Sequence, residues 1–252
     1  MDIKGLLKVL EEIAPLEYSK IFCEKFDAYD NSGIIIDNNS EVTGVVFALD
    51  LTSEVVDKAI DMKANVIVTH HPAIYKPIKE ISFSEPIYKA IQNKIGVISM
   101  HLNLDSAPNG IDYHLAKGIG GDNYEILYPI KNGGYGRIFS LNKTSLAKIV
   151  QVINKNFSTN KVLVYGKDEE KTYKVLSLCG AGLSEKELYG EYDLIISSDI
   201  PHHLLLKGLE LNKKFIVITH YASEIYGFER FYKEIKNKLK VNSQIYIDSE
   251  ML

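Results

Sequence analysis

Short apolar runs alternate with amphipathic stretches along nearly the whole chain, and this alternation most limits how the chain can fold. GVVFALDL (44–51), NVIVT (65–69) and GVISM (96–100) lack the polar residue at every second position that marks a strand with one wet face. Between them stand three helix patterns. SEVVDKAIDMKA (53–64) can be capped by Thr52 or Ser53, and SEPIYKAIQNK (84–94) has Ser84 as N-cap and Pro86 in its first turn. GIDYHLAKGIGG (110–121) is stopped by glycines. Strands apolar on both faces and separated by helices predict an α/β fold, with a largely parallel sheet covered on both sides.

The Gly-rich segment KNGGYGR (131–137) predicts the boundary between a first lobe, residues 1–130, and a second, 131–228. After it the alternation restarts with GRIFSLN, the helix TSLAKIVQVINKN, VLVYG, KVLSLCGAG, the helix SEKELYG, DLIISS, the helix PHHLLLKGLELN and FIVITH. A long helix over 223–239 and the strand QIYID close the chain. The second half echoes the first: GVISMHLNLDSA (96–107) aligns with FIVITHYASEIY (215–226), pairing His101 with His220 and Asp105 with Glu224.

Composition excludes several classes. A formal net charge of −4 argues against a generally basic protein that coats nucleic acid, although KNKLK (236–240) is a candidate local basic surface, otherwise a solvated helix face. The tyrosines do not interleave with Lys or Arg as a base-stacking platform would. With Cys23 and Cys179 the only cysteines, there is no disulfide framework and no Cys-rich zinc cluster, which fits a reducing compartment. The N-terminal residues Ile3, Leu6, Leu7, Leu10 and Ile13 recur at helical spacing up to Pro15, without a signal-peptide apolar region. No apolar stretch approaches the roughly 20 residues of a membrane span. A cytoplasmic protein is expected.

The chemistry gathers where strands end. VIVTHHPAIYKP (66–77) places His70 and His71 side by side after an apolar run, and Asp105, His220 and Glu224 also follow strand-like runs. In open parallel sheets ligands sit at the carboxyl ends of strands, so these residues are expected on one sheet edge or facing one another across two lobes. Adjacent strand residues point to opposite faces, but at a turn His70 and His71 can serve two neighbouring ions. His220 and Glu224, four apart, share a helical face, and the two oxygens of Glu224 can bridge. Three imidazoles and two carboxylates suit Zn, Fe, Mn or Co. Two such ions about 3.5–4 Å apart activate water and polarise a substrate oxygen. His101 is structural or orients a ligand. His202 and His203 open a helix whose N-terminus caps itself or meets an anion. CGAG (179–182) lacks the full dinucleotide fingerprint and reads as a tight turn, and Cys179 has no support as a nucleophile beyond its place.

These motifs resemble the NIF-three-like family, GTP cyclohydrolase I type 2 homologues, over nearly the whole chain. YDNSGIII (29–36), ALDLTSEVVDKAI (48–60), NVIVTHHP (65–72), SMHLNLDSAPNGID (99–112), LCGAG (178–182), SSDIPHH (197–203) and THYASE (219–224) follow in the family's order. The resemblance implies two interlinked α/β/α lobes with mixed, largely parallel sheets, the final strand, within 229–252, returning to the first. It implies a dinuclear centre of two divalent ions (Fe, Zn, Mn or Co) held by His70, His71, Asp105, His220 and Glu224, with Glu224 as the catalytic bridge. His101, Asp199 and His203 would lie on the substrate side or behind the ligands. Homo-oligomers, hexamers built from dimers, are also implied. Tyr29 stands where the family has Trp, and Ser198 where it has Gly. The expected activity is metal-dependent hydrolysis of a nucleotide or other phosphorylated small molecule. The alternative is a metal-stabilised scaffold or DNA-binding, transcription-associated ring.

Overall fold

The structure is a computed structural model and describes all residues 1–252. In chain order its elements are α1 (Ile3–Glu11), α2 (Leu16–Phe26), β1 (Gly33–Ile36), β2 (Gly44–Ala48), α3 (Ser53–Asp61), β3 (Val66–Thr69), α4 (Pro86–Gln92), β4 (Gly96–Ser99) and α5 (Leu102–Asp105). They continue with α6 (Ile111–Ile119), β5 (Glu125–Ile130), β6 (Gly133–Thr144), α7 (Leu146–Asn156), β7 (Val162–Tyr165), β8 (Lys171–Ser177) and a 3-10 turn (Glu185–Tyr189). Last come β9 (Leu194–Ser197), α8 (His202–Glu210), β10 (Lys214–Ile218), α9 (His220–Lys236) and β11 (Asn242–Ile245). The chain divides into two compact units, Met1–Ala107 with Phe228–Ile247, and Pro108–Gly227 with Asp248–Leu252.

The first unit is built on a five-stranded sheet of order β1-β4-β3-β2-β11, parallel except where β1 pairs with β4. Strands β2, β3 and β4 are buried along their whole length, as their unbroken apolar runs predict. Alternation within each strand then divides the packing between the two faces. Val46, Ala48, Ile67 and Val97 meet Val55, Val56 and Ala59 of α3 and Ala90 of α4. Phe47, pointing the other way, packs against Phe228, Phe231 and Tyr232 of α9. Each such buried aromatic contributes about 1.5–3 kcal/mol of burial.

The second unit holds a six-stranded sheet of order β5-β6-β8-β9-β10-β7. Its β8-β9-β10 core is parallel, and β5, β6 and β7 join antiparallel. Both sheets are therefore mixed, and the second carries half-exposed strands, β5 and β7, at its two edges. The KNGGYGR segment is not a junction. It closes the β5–β6 hairpin inside this unit, with Ile130 opposite Gly133. A Cβ on Gly134 (φ +141°) would lie 2.3 Å from the carbonyl oxygen of Tyr128, so glycine serves a close backbone approach there rather than a linker. The change of unit falls at 107/108 instead. A buried ion pair, Arg137 Nη1 to Asp112 Oδ2 at 2.8 Å, ties α6 to β6 in the second unit.

Helix starts follow their caps. Thr52 and Ser145 accept from Val55 N and Lys148 N. Helix α4 begins at Pro86 behind Glu85, and not behind Ser84, whose hydroxyl is engaged with Ser82. Helix α9 starts three residues before the predicted position because Thr219 Oγ1 accepts from Ala222 N at 3.1 Å and caps it.

Candidate metal centre

In the first unit a set of hydrogen bonds fixes the turn after β3. His70 N and His71 N both donate to the Leu49 carbonyl, at 3.1 and 2.9 Å. The Thr69 hydroxyl donates to the His71 carbonyl at 2.7 Å, and Ala73 N donates to Ser99 Oγ at 3.2 Å. The turn breaks the strand's alternation, so the rings of His70 and His71 come to 4.8 Å between centroids. His101, the second residue after β4, joins them: ligand nitrogens of His70, His71 and His101 lie within 4.8 Å of one another. Asp105, at the end of α5, is buried with Oδ1 3.5 Å from His70 Nε2.

Each ring also has an acceptor behind it. Nδ1 of His70 lies 2.8 Å from the Met100 carbonyl oxygen, that of His71 2.8 Å from Asp50 Oδ1, and that of His101 2.7 Å from Asp30 Oδ1. Oδ2 of Asp30 accepts from the hydroxyls of Ser19 and Ser32 at 2.5 and 2.6 Å. Burial pushes the Asp30 carboxyl up, but the hydrogen bond and charge of His101, with the two serines, outweigh it and hold the group below the usual carboxylate range.

In the second unit His220 opens α9, with its Nδ1 2.5 Å from Asp199 Oδ2 and its Nε2 3.0 Å from Glu224 Oε1 one turn on. Asp199 sits at φ +38°, in the left-handed region that a short polar side chain tolerates. Glu224 is buried, with Gly180 of the CGAG turn beside it. Gly180 (φ +58°) donates its N–H to Ser223 Oγ at 3.1 Å, and a Cβ there would stand 2.6 Å from Glu224 Oε1 and 3.2 Å from His220 Nε2. The thiol of Cys179 is buried, its N–H donates to Asp112 Oδ1 at 3.3 Å, and its carbonyl accepts from the Tyr135 hydroxyl. His203 is exposed in the first turn of α8 and acts on Glu185, whose carboxyl is lowered first by Lys207.

The first unit therefore brings together His70, His71, His101 and Asp105, and the second brings together His220, Glu224 and Asp199. Imidazole nitrogens and carboxylate oxygens without cysteine are ligands for borderline divalent ions. Asp30 and Asp50 are missing from a sequence-only ligand list. Their signal is that Asp50 stands next to last in the apolar run of 44–51 and Asp30 precedes that of 33–36, so neither looks like a partner of a histidine until strands are paired.

Fold and side chains together define a two-unit α/β protein with a candidate divalent-metal site. A family model described as Duf34/NIF3 (NGG1p interacting factor 3) matches residues 1–250, and the chain belongs to that family. It is similar to the GTP cyclohydrolase 1 type 2 homolog of Clostridium acetobutylicum, at 27% identity over 98% of this chain and 95% of that one. The protein of the same name from Mycoplasmopsis pulmonis is 33% identical over 86% of this chain and 87% of that one. Among solved structures, reduced HcgD from Methanocaldococcus jannaschii matches with TM-score 0.81 and 28% identity over 98% of each chain. The Staphylococcus aureus hypothetical protein SA1388 matches with TM-score 0.83 and 25% identity over 98% of this chain and 97% of that one.

Proposed function

We propose that the protein is a dinuclear divalent-metal hydrolase of a nucleotide or another phosphorylated small molecule, with His70, His71, Asp105, His220 and Glu224 as its ligands. The observation that carries this reading is the clustering of imidazole nitrogens within 4.8 Å after β3 and β4, each ring backed by an acceptor. The histidine–carboxylate pair of α9 supports it. When bound, divalent ions supply Lewis acidity that polarises a substrate oxygen and activates water. The chain's own part is to orient the imidazoles and to hold Glu224, the bridging candidate, out of bulk solvent. The names of relatives such as the Clostridium acetobutylicum GTP cyclohydrolase 1 type 2 homolog support a nucleotide as first substrate to test.

A scaffold that binds nucleic acid has less support. Of the basic run 236–240, Lys238 is paired with Glu12 at 2.8 Å and Lys236 lies over the Tyr232 ring. No helix is long and apolar enough to cross a membrane. Elemental analysis after reconstitution should give two divalent ions per chain, and a single equivalent under excess metal defeats the dinuclear reading. A panel of nucleotides and phosphoesters with Mn, Fe, Co and Zn should reveal turnover that is lost in Glu224→Ala and kept in Lys240→Ala. No metal-dependent turnover, with DNA binding that weakens steeply with salt, favours the scaffold. The proposed assembly is a hexamer of about six times 28.4 kDa, and a monodisperse monomer by light scattering rules it out.

A further inference from the structure

The Nδ1 atoms of His71, His101 and His220 each face an aspartate that leaves the end of a neighbouring strand, and the same construction occurs three times. β2 and β3 pair in parallel with Ala48 opposite Thr69, so the second residue beyond each strand brings Asp50 beside His71. β1 and β4 pair antiparallel with Gly33 opposite Ser99, which brings Asp30, upstream of β1, to His101, downstream of β4. β9 and β10 pair in parallel with Ser197 opposite Val217, and Asp199 reaches His220. His70 has the same arrangement with a backbone carbonyl, that of Met100.

We infer that Asp50, Asp30 and Asp199 are positioning residues that hold His71, His101 and His220 in the Nδ1–H tautomer and so keep each Nε2 lone pair open, for a cation at the ligands His71 and His220. The inference rests on the metal reading above. Neutral histidine in water favours the opposite tautomer, with the proton on Nε2, and an acceptor at Nδ1 is what reverses that choice. Carboxylates do more than a neutral acceptor, because their charge also raises the basicity of the far nitrogen. Two features show that the acceptors are built in. Asp30 is buried and cannot rotate away, since its second oxygen holds the hydroxyls of Ser19 and Ser32. Asp199 reaches His220 from a left-handed backbone position, φ +38°, which a short polar side chain adopts more readily than other non-glycine residues do.

The test uses the full chain, 15N-labelled and stripped of metal, at about pH 8, where an ordinary imidazole is neutral. Long-range proton–nitrogen spectra read the tautomer of each ring. His71 should carry its proton on Nδ1 in the wild type, move to the Nε2–H form in Asp50→Ala, and return to Nδ1–H in Asp50→Asn, whose amide oxygen still accepts. His70 should not change in any of these, because its acceptor is a backbone carbonyl. Competition with a chromophoric chelator for Zn should show roughly 10–100-fold weaker binding in Asp50→Ala and in Asp199→Ala, with circular dichroism unchanged. Asp57→Ala, on the outer face of α3 and paired with Lys89, should bind as the wild type does. If His71 keeps its Nδ1–H tautomer in Asp50→Ala, or if Asp50→Ala and Asp199→Ala bind Zn like the wild type, the inference fails. Should the wild type bind no divalent ion while the tautomers respond as described, the metal reading falls and the tautomer lock stands.

Discussion

Gly180→Ala separates the fold from the candidate metal centre. The residue stands at φ +58°, where a Cβ costs about 1–2 kcal/mol. That Cβ would lie 2.6 Å from Glu224 Oε1, against 3.4 Å for an ordinary contact, so the carboxylate must retreat by about 0.8 Å. Glu224 Oε1 is the far end of a flexible side chain and can give way cheaply, whereas the backbone around Gly180 is held by Ser223 and by the Asp112–Cys179 hydrogen bond. Metal–ligand distances tolerate only about ±0.2 Å, so a displacement of that size removes Glu224 as a ligand without unfolding the protein. Urea titration should show a loss of about 1–2 kcal/mol, with circular dichroism unchanged. Isothermal titration with Zn should show at least a tenfold loss of affinity, comparable to removing an outer-shell partner. Wild-type stoichiometry and affinity in Gly180→Ala would mean that Glu224 Oε1 holds no ion, and the ligand assignment would fall with it.

Two further outcomes follow from buried and depressed charges. Asp112→Asn leaves Arg137 charged and fully buried against a neutral partner, which should cost about 3–5 kcal/mol. Hydrogen exchange of the β8 and β9 amides reads that loss in the second unit, and a cost below about 1 kcal/mol would show that Arg137 finds other acceptors. Asp30 and Asp193 both titrate below their ordinary range. At Asp30 burial is outweighed by His101 and the two serines, and at Asp193 burial is outweighed by the Lys174 backbone N–H and by Lys171. Their stabilisation is therefore complete above the unfolded value near about 3.9 and is lost as pH falls through the lower folded value. Midpoints of thermal unfolding followed from about pH 5 down to about pH 2 should fall less in Asp30→Asn than in the wild type; equal falls refute the assignment.

The alternation of apolar runs and amphipathic helices was enough, from the sequence alone, to define an α/β protein, because burial on both faces of β2, β3 and β4 is written into consecutive apolar residues. The placing of His70, His71, Asp105, His220 and Glu224 after strands was legible for the same local reason, as was the pairing of His220 with Glu224 one helical turn apart. Which strands become neighbours was not legible. β11 joins β2 from the far end of the chain, and the KNGGYGR glycines serve a hairpin although their composition suits a junction. The acceptors behind the imidazoles depend on the same long-range choice. Asp50 lies 21 residues from His71 and Asp30 lies 71 from His101, and only strand register sets them side by side. Local patterns decide what each segment buries; the partner of a side chain at a strand's end is decided by cooperative pairing of strands distant in sequence, a free energy that no single segment contains.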